Sequence, residues 1–193
     1  MAAIERGKHV YCEKPLAHSV HEVRQLMEAA QEHQVVTQLG NQGHSSDSIR
    51  TFCEWIRDGA IGTVSEIHAG CSHVNSGGGR RKSVAGAAVP ATLDWDLWLG
   101  PAQWRAYDPA YVPGTWRGWV PFGNGTIGDW ACHVLGPVFW ARDLGAPQAI
   151  QARVKDYDPQ TQSDIYPPGD VITFEFPAKE QRGPVTLHWY SGT

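Results

Sequence analysis

The ten residues from Gly7 to Leu16 constrain this chain more than any other stretch. His9 to Cys12 is a short β-branched and aromatic run that reads as a buried strand. It ends in Glu13-Lys14 followed by Pro15. Proline fixes its own φ and pushes the preceding residue out of the helical region, so the strand must stop there. Ser19 then stands as an N-cap, and Glu22 completes a capping box. Val20, Val23, Leu26, Met27 and Ala30 fall on one helical face, which predicts a helix to about His33. Val35 to Leu39 is a second short apolar strand. Strand, helix, strand in this order implies a right-handed crossover and a parallel sheet. Such sheets bind ligands outside the carboxyl ends of their strands. Lys14 stands at one such end, and Gly40-Asn41-Gln42-Gly43-His44 at the next. By residue type alone, Lys14 also reads as a surface lysine in a turn, and Gly43 and His44 as turn residues.

Before this unit, Ala2 to Arg6 reads as a helix end with Gly7 as its stop. After it, a helix is predicted from near Ser46, carrying Ile49, Phe52, Cys53 and Ile56 and ending at Asp58-Gly59. Val64 to Ser72 reads as a strand. Residues 75–92 are rich in Gly, Ala and Ser and read as a mobile loop, a lid or an oligomer arm. Within them, Ser76-Gly77-Gly78-Gly79 has no preceding strand and no following helix, so it is not a dinucleotide fingerprint. Residues 101–123 carry Pro101, Pro109, Pro113 and Pro121 and end in Trp116-Arg117-Gly118-Trp119. Arg117 there can hydrogen-bond sugar hydroxyls or stack on tryptophan. Ala149 to Tyr157, Val171 to Phe176 and Val185 to Tyr190 alternate apolar and polar residues, as antiparallel strands with one wet face do. A parallel unit followed by antiparallel strands predicts two domains, at 1–41 and 42–193. The expected fold is thus the late part of a Rossmann-like parallel sheet, followed by a mostly antiparallel, open-faced sheet with helices on one face.

Asp129 and His133 are four residues apart. On a helix they share a face, where the carboxylate can orient the imidazole for general-base work. The same spacing also describes an ordinary surface pair worth only about 0.3 kcal/mol. Pro137 cannot donate to the His133 carbonyl, so a kink or break should follow His133.

Composition narrows the partners. Sixteen Lys+Arg against 20 Asp+Glu give a net charge of -4, which leaves no basic footprint for nucleic acid. No apolar run is long enough to span a membrane. Cys12, Cys53, Cys71 and Cys132 lack C-x-x-C spacing and read as buried thiols of a reduced protein, which favours the cytoplasm. A signal peptide on a missing amino terminus would change that reading. No residues are assigned to a metal. The nine tryptophans fit core packing or stacking on a sugar ring.

Gly7-Lys8-His9-Val10 and Glu13-Lys14-Pro15, with Asn41-Gln42 and Gly128-Asp129 to His133 further on, resemble the Gfo/Idh/MocA family of NAD(P)-dependent oxidoreductases. Asp94-Trp95-Asp96-Leu97-Trp98-Leu99-Gly100-Pro101 resembles a segment common in one branch of it. The resemblance implies oxidation or reduction of a secondary alcohol or ketone of a sugar, cyclitol or derivative, with NAD or NADP as cofactor. It implies Lys14, Asp129 and His133 as catalytic residues around the reacting carbon, facing one cleft. It implies Glu13, Lys14, Pro15, Asn41 and Gln42 at the cofactor, and Lys14, His44, Trp116, Arg117 and His133 at a small, sugar-like substrate. It also implies a cis bond before Pro15 and a homo-oligomer formed through the C-terminal sheet. Family members begin with a strand, a Gly-rich turn and a helix that hold the dinucleotide. No such unit precedes Gly7, so the chain is expected to be an internal excerpt with little turnover of its own. Two alternatives stand beside this. His133-Val134-Leu135-Gly136-Pro137 partly resembles a group of NAD-dependent glycoside hydrolases, and a truncated, non-catalytic homologue is the other.

Overall fold

A computed structural model of the 193-residue chain describes residues 1–73, 84–180 and 182–192. The chain divides into two compact units, Met1–Ser46 and Asp47–Thr193. Among the described residues, no helix is long and apolar enough to cross a membrane.

The first unit is a strand–helix–strand. A single 3-10 turn, Ile4–Arg6, is closed by Gly7 at φ 65°, a left-handed conformation that glycine adopts without a Cβ penalty. β1 (Val10–Glu13), α1 (Val20–Glu32) and β2 (Thr37–Gly40) follow. β1 and β2 pair in parallel, with Val10 opposite Thr37 and Glu13 opposite Gly40. β1 therefore starts one residue later than the predicted His9, and β2 two residues later than Val35. The capping box is formed: Ser19 accepts from the Glu22 N–H, and the Glu22 side chain accepts from the Ser19 N–H. The apolar face of α1 is not buried, with Val20 71% and Met27 66% exposed. Two four-residue strands are too few to cover a 13-residue helix.

The second unit is built on a four-stranded sheet of order β3-β6-β5-β4, comprising β3 (Glu66–Cys71), β4 (Ala149–Val154), β5 (Asp170–Phe176) and β6 (Val185–Ser191). β4–β5 and β5–β6 are antiparallel, while β3 joins β6 in parallel. Alternation along the strands separates the faces. Ile67, Ala69, Leu187, Trp189, Phe174 and Phe176 face a core closed by Leu135 and Leu144, together with Ile127, Ala131, Val134 and Val138. The other face carries Glu66, His68, Thr173, Glu175, His188 and Tyr190. It is the predicted wet face.

Helices α2 (Asp47–Arg57), α4 (Gly125–Val134) and α5 (Gly136–Arg142) belong to this unit. The helix break after His133 is present: α4 ends at Val134, Leu135 caps it, and α5 restarts with Pro137 in its first turn. A second core gathers Trp95, Leu99 and Tyr107 around α3 (Trp95–Leu99), with Trp95 and Trp98 stacked at 4.8 Å. Core packing thus accounts for Trp95, Trp98 and Trp189. The cysteines are free thiols, but only Cys53 is buried; Cys12, Cys71 and Cys132 are half-buried. They sit on strand or helix faces that alternation leaves partly open. The first half of the predicted loop at 75–92, including Ser76 to Arg81, lies outside the described residues.

Candidate functional site

In the first unit the parallel register does what the strand spacing suggested. Because Glu13 pairs with Gly40, the Glu13-Lys14-Pro15 turn and Asn41-Gln42 leave the sheet side by side. The Lys14 N–H donates to the Gly40 carbonyl at 3.0 Å, which extends the ladder by one bond and joins the two turns. The Lys14-Pro15 bond is cis. Lys14 is half-buried, more enclosed than a surface lysine in a turn, whereas Glu13 and Pro15 are exposed. The Tyr11 ring lies over Gly40, where a Cβ would come within 2.7 Å of it. Beyond it, the His44 N–H donates to the Asn41 carbonyl at 3.1 Å, and Gly43 takes φ 83°. Asn41 and His44 are half-buried and Gln42 is exposed.

In the second unit the candidates gather at α4. The helix begins at Gly125, whose φ of 65° and contact with the Tyr166 ring leave no room for a side chain. Tyr166 donates its hydroxyl to the Gly123 carbonyl at 3.0 Å, and burial pushes its phenol above the usual range. Asp129 and His133 lie one turn apart on α4, both half-buried. Asp129 has a partner that its spacing to His133 did not suggest. Its Oδ2 lies 3.4 Å from Arg117 Nε. The Arg117 guanidinium also stands 4.5 Å over the Trp116 ring and donates to the Gly114 carbonyl at 3.4 Å. Arg117 therefore stacks on tryptophan, one of its two predicted uses. Trp130 packs edge-on to His133 with ring centroids 6.2 Å apart and tilts against His73 at 5.7 Å, enclosing the imidazole on one side.

Each unit thus assembles its own share of the predicted residues: Glu13, Lys14, Pro15, Asn41, Gln42 and His44 in the first, and Trp116, Arg117, Asp129 and His133 in the second. The Arg117–Asp129 pair was missed from sequence, because nothing in the proline-rich 101–123 segment announces where its 3-10 turn, Thr115–Gly118, docks.

The carboxyl ends of parallel strands suit the nicotinamide side of a dinucleotide. The half-buried Lys14, tied to Gly40, fits contacts on that side. Among the described residues no Gly-rich turn follows a strand and opens a helix to cradle a pyrophosphate.

Residues 63–173 match the model described as "Oxidoreductase family, C-terminal alpha/beta domain", and residues 1–41 match "Oxidoreductase family, NAD-binding Rossmann fold". A 1,5-anhydro-D-fructose reductase of Ensifer adhaerens is 39% identical over 62 residues, 32% of this chain and 19% of the relative. A 2,7-anhydro-N-acetylneuraminate hydratase of Mediterraneibacter gnavus is 34% identical over 67 residues, 35% of this chain and 18% of the relative. Among solved structures, an inositol dehydrogenase homolog from Azotobacter vinelandii complexed with NAD+ superposes with a TM-score of 0.63 at 18% identity, over 99% of this chain and 41% of that one. An NAD binding oxidoreductase from Klebsiella pneumoniae gives 0.61 at 19% identity, over 97% of this chain and 43% of that one. The chain therefore spans about two fifths of the solved structures, and its matched stretches cover under a fifth of the curated relatives.

Proposed function

We propose, from the premise that this chain belongs to the Gfo/Idh/MocA family of oxidoreductases, that it carries part of the active site of an NAD(P)-dependent dehydrogenase. Its substrate would be a secondary alcohol or ketone of a sugar, cyclitol or derivative. The observation that carries this reading is the bond from the Lys14 N–H to Gly40, which sets the Glu-Lys-Pro turn beside Asn41-Gln42.

NAD or NADP, when bound, supplies the redox chemistry by exchanging a hydride with the substrate carbon. The chain's own residues handle the proton and the developing charge. In the oxidative direction His133 takes the hydroxyl proton as general base. Asp129, held by Arg117, orients it. Lys14 stabilises the alkoxide that forms as the proton leaves, an electrostatic role that a half-buried ammonium fills better than an exposed one. Glu13, Pro15, Asn41 and Gln42 border the cofactor, and His44, Trp116 and Arg117 line the substrate. The sugar-like class is supported by the reductase and hydratase relatives and by an inositol dehydrogenase homolog complexed with NADH and myo-inositol. A homo-oligomer through the C-terminal sheet is part of the same proposal.

The test is NAD(P)H formation with a panel of sugars and cyclitols, in a form with a complete dinucleotide-binding domain. Lys14→Ala and His133→Ala should each lower kcat by about 10²-fold or more. An unchanged kcat in His133→Ala removes it as the base. Turnover of a glycoside without net NAD(P)H would instead favour the glycoside hydrolase suggested by His133 to Pro137. The 193 residues alone should show little turnover, because pyrophosphate binding needs a Gly-rich turn that leads from a parallel strand into a helix, and Gly123 to Gly128, which opens α4, follows no strand. Micromolar NAD binding by this chain would defeat that part.

A further inference from the structure

The open face of the second sheet carries a side-chain group that the proposed reaction does not use. Glu66 and His68 are two residues apart on β3, so both project from the same face. The parallel register sets His188 of β6 opposite His68, and the antiparallel register sets Thr173 of β5 opposite His188. One carboxylate oxygen, Glu66 Oε1, lies 3.2 Å from both His68 Nε2 and His188 Nε2. The three candidate ligand atoms fall within 4.8 Å of one another. The two imidazoles are stacked, with centroids 5.0 Å apart.

The other ring nitrogens are also engaged. His68 Nδ1 lies 2.9 Å from the Tyr190 hydroxyl, and His188 Nδ1 lies 3.0 Å from Thr173 Oγ1. An imidazole that donates its Nδ1 proton to a hydroxyl keeps its lone pair on Nε2, the atom turned to Glu66. Outer-shell hydrogen bonds of this kind orient histidine ligands.

We propose that Glu66, His68 and His188 bind a divalent transition-metal ion of the zinc class, which clamps β3 to β6. Two imidazole nitrogens and one carboxylate oxygen form the donor set of a zinc site with three protein ligands and an open fourth position. Bonds of about 2.0–2.1 Å in tetrahedral geometry set ligand atoms roughly 3.3 Å apart. The two Glu66–histidine distances of 3.2 Å match this, and the two Nε2 atoms, within 4.8 Å of each other, close onto the ion when it binds. Imidazole favours zinc, copper, nickel or iron over magnesium or calcium. Glu66 and His68 are 57% exposed at their side chains, so an ion can enter from solvent. The clamp joins strands whose pairing is the long-range contact of the sheet.

The experiment is titration of zinc chloride into the chelator-treated 193-residue chain, followed by calorimetry and thermal melting. A parallel cobalt(II) titration is followed by absorption. The expected result is one equivalent bound with micromolar affinity, a raised Tm, and cobalt d–d bands without a thiolate charge-transfer band. Glu66→Gln, His68→Ala and His188→Ala should each weaken binding at least tenfold. Tyr190→Phe and Thr173→Val should weaken it by about 10–100-fold through ligand orientation alone. Glu66→Gln and Tyr190→Phe preserve shape and keep the test valid if a histidine variant misfolds. No binding at ~100 µM zinc overturns the site. So does zinc affinity unchanged in Glu66→Gln, or a thiolate band that places the ion on cysteine.

Discussion

Arg117 Nε lies 3.4 Å from Asp129 Oδ2, joining a 3-10 turn in a proline-rich segment to the helix that carries His133. The arginine is 39% and the aspartate 22% exposed at their side chains, so solvent screens the pair in part. The guanidinium is held a second time by the Trp116 ring. We expect Arg117→Met and Asp129→Asn to be coupled by about 0.5–1 kcal/mol in a double-mutant cycle of urea unfolding. Arg117→Lys should recover only part of it, because lysine keeps the charge and loses the planar fork. Additive effects would show that the contact is energetically empty.

Gly123 decides where Arg117 sits. A Cβ at Gly123 would come within 2.6 Å of the Arg117 Cα and carbonyl oxygen, both backbone atoms that cannot swing aside. Gly123→Ala should therefore cost about 1–3 kcal/mol. In the dehydrogenase assay proposed above it should also lower kcat by displacing Arg117 from Asp129. A variant with unchanged melting and unchanged kcat would mean the turn relaxes freely.

The first unit leans on a helix cap. No residue of α1 is buried, so tertiary packing holds this helix weakly. The Glu22 N–H donates to Ser19 Oγ at 3.2 Å, and Glu22 Oε2 accepts from the His18 and Ser19 N–H groups at 2.7 and 3.2 Å. The backbone hydrogen bond from His18 is the main cause holding the Glu22 carboxyl below its usual range. Ser19→Ala should cost about 1 kcal/mol. It should speed amide exchange in the first turn of α1 while leaving the second unit unchanged. Equal exchange in both proteins would refute the cap's role.

Asp170 sets a pH dependence. Burial pushes its carboxyl above the usual carboxylate range, offset in part by a hydrogen bond to Ser191. Ser191 itself accepts from the buried Trp189 indole at 2.8 Å. The folded chain therefore holds the Asp170 proton more tightly than the unfolded chain. Its contribution is fully present below the unfolded pKa and is lost as pH rises through the folded one. Asp170→Asn, which keeps an acceptor for Ser191, should raise Tm at pH 7 and lose that advantage below about pH 4. Asp143, which Lys179 holds below the usual range by a hydrogen bond and by its charge, acts with the opposite sign. A Tm gain for Asp170→Asn that persists unchanged at pH 3 would rule out the ionisation as its cause.

Much of the fold can be read from local rules. Pro15 ends β1, Ser19 and Glu22 start α1, Gly7 stops the first turn, and Pro137 breaks the helix after His133. Each acts through its own backbone geometry or a hydrogen bond spanning a few residues, so neighbouring sequence suffices. The family resemblance implies roles for Lys14, Asp129 and His133, but it does not assign their partners. Arg117 meets Asp129 because a segment without periodicity docks on α4, and no spacing rule covers such docking. Glu66, His68 and His188 converge because β3 pairs in parallel with β6, whose partner residues stand 120 positions later in the chain. A strand pattern reports which face a residue takes; which strand lies beside it depends on the packing of the whole sheet. That pairing is set by burying Leu187 and Trp189 between the sheet and its helices, a long-range hydrophobic choice made only when the chain folds.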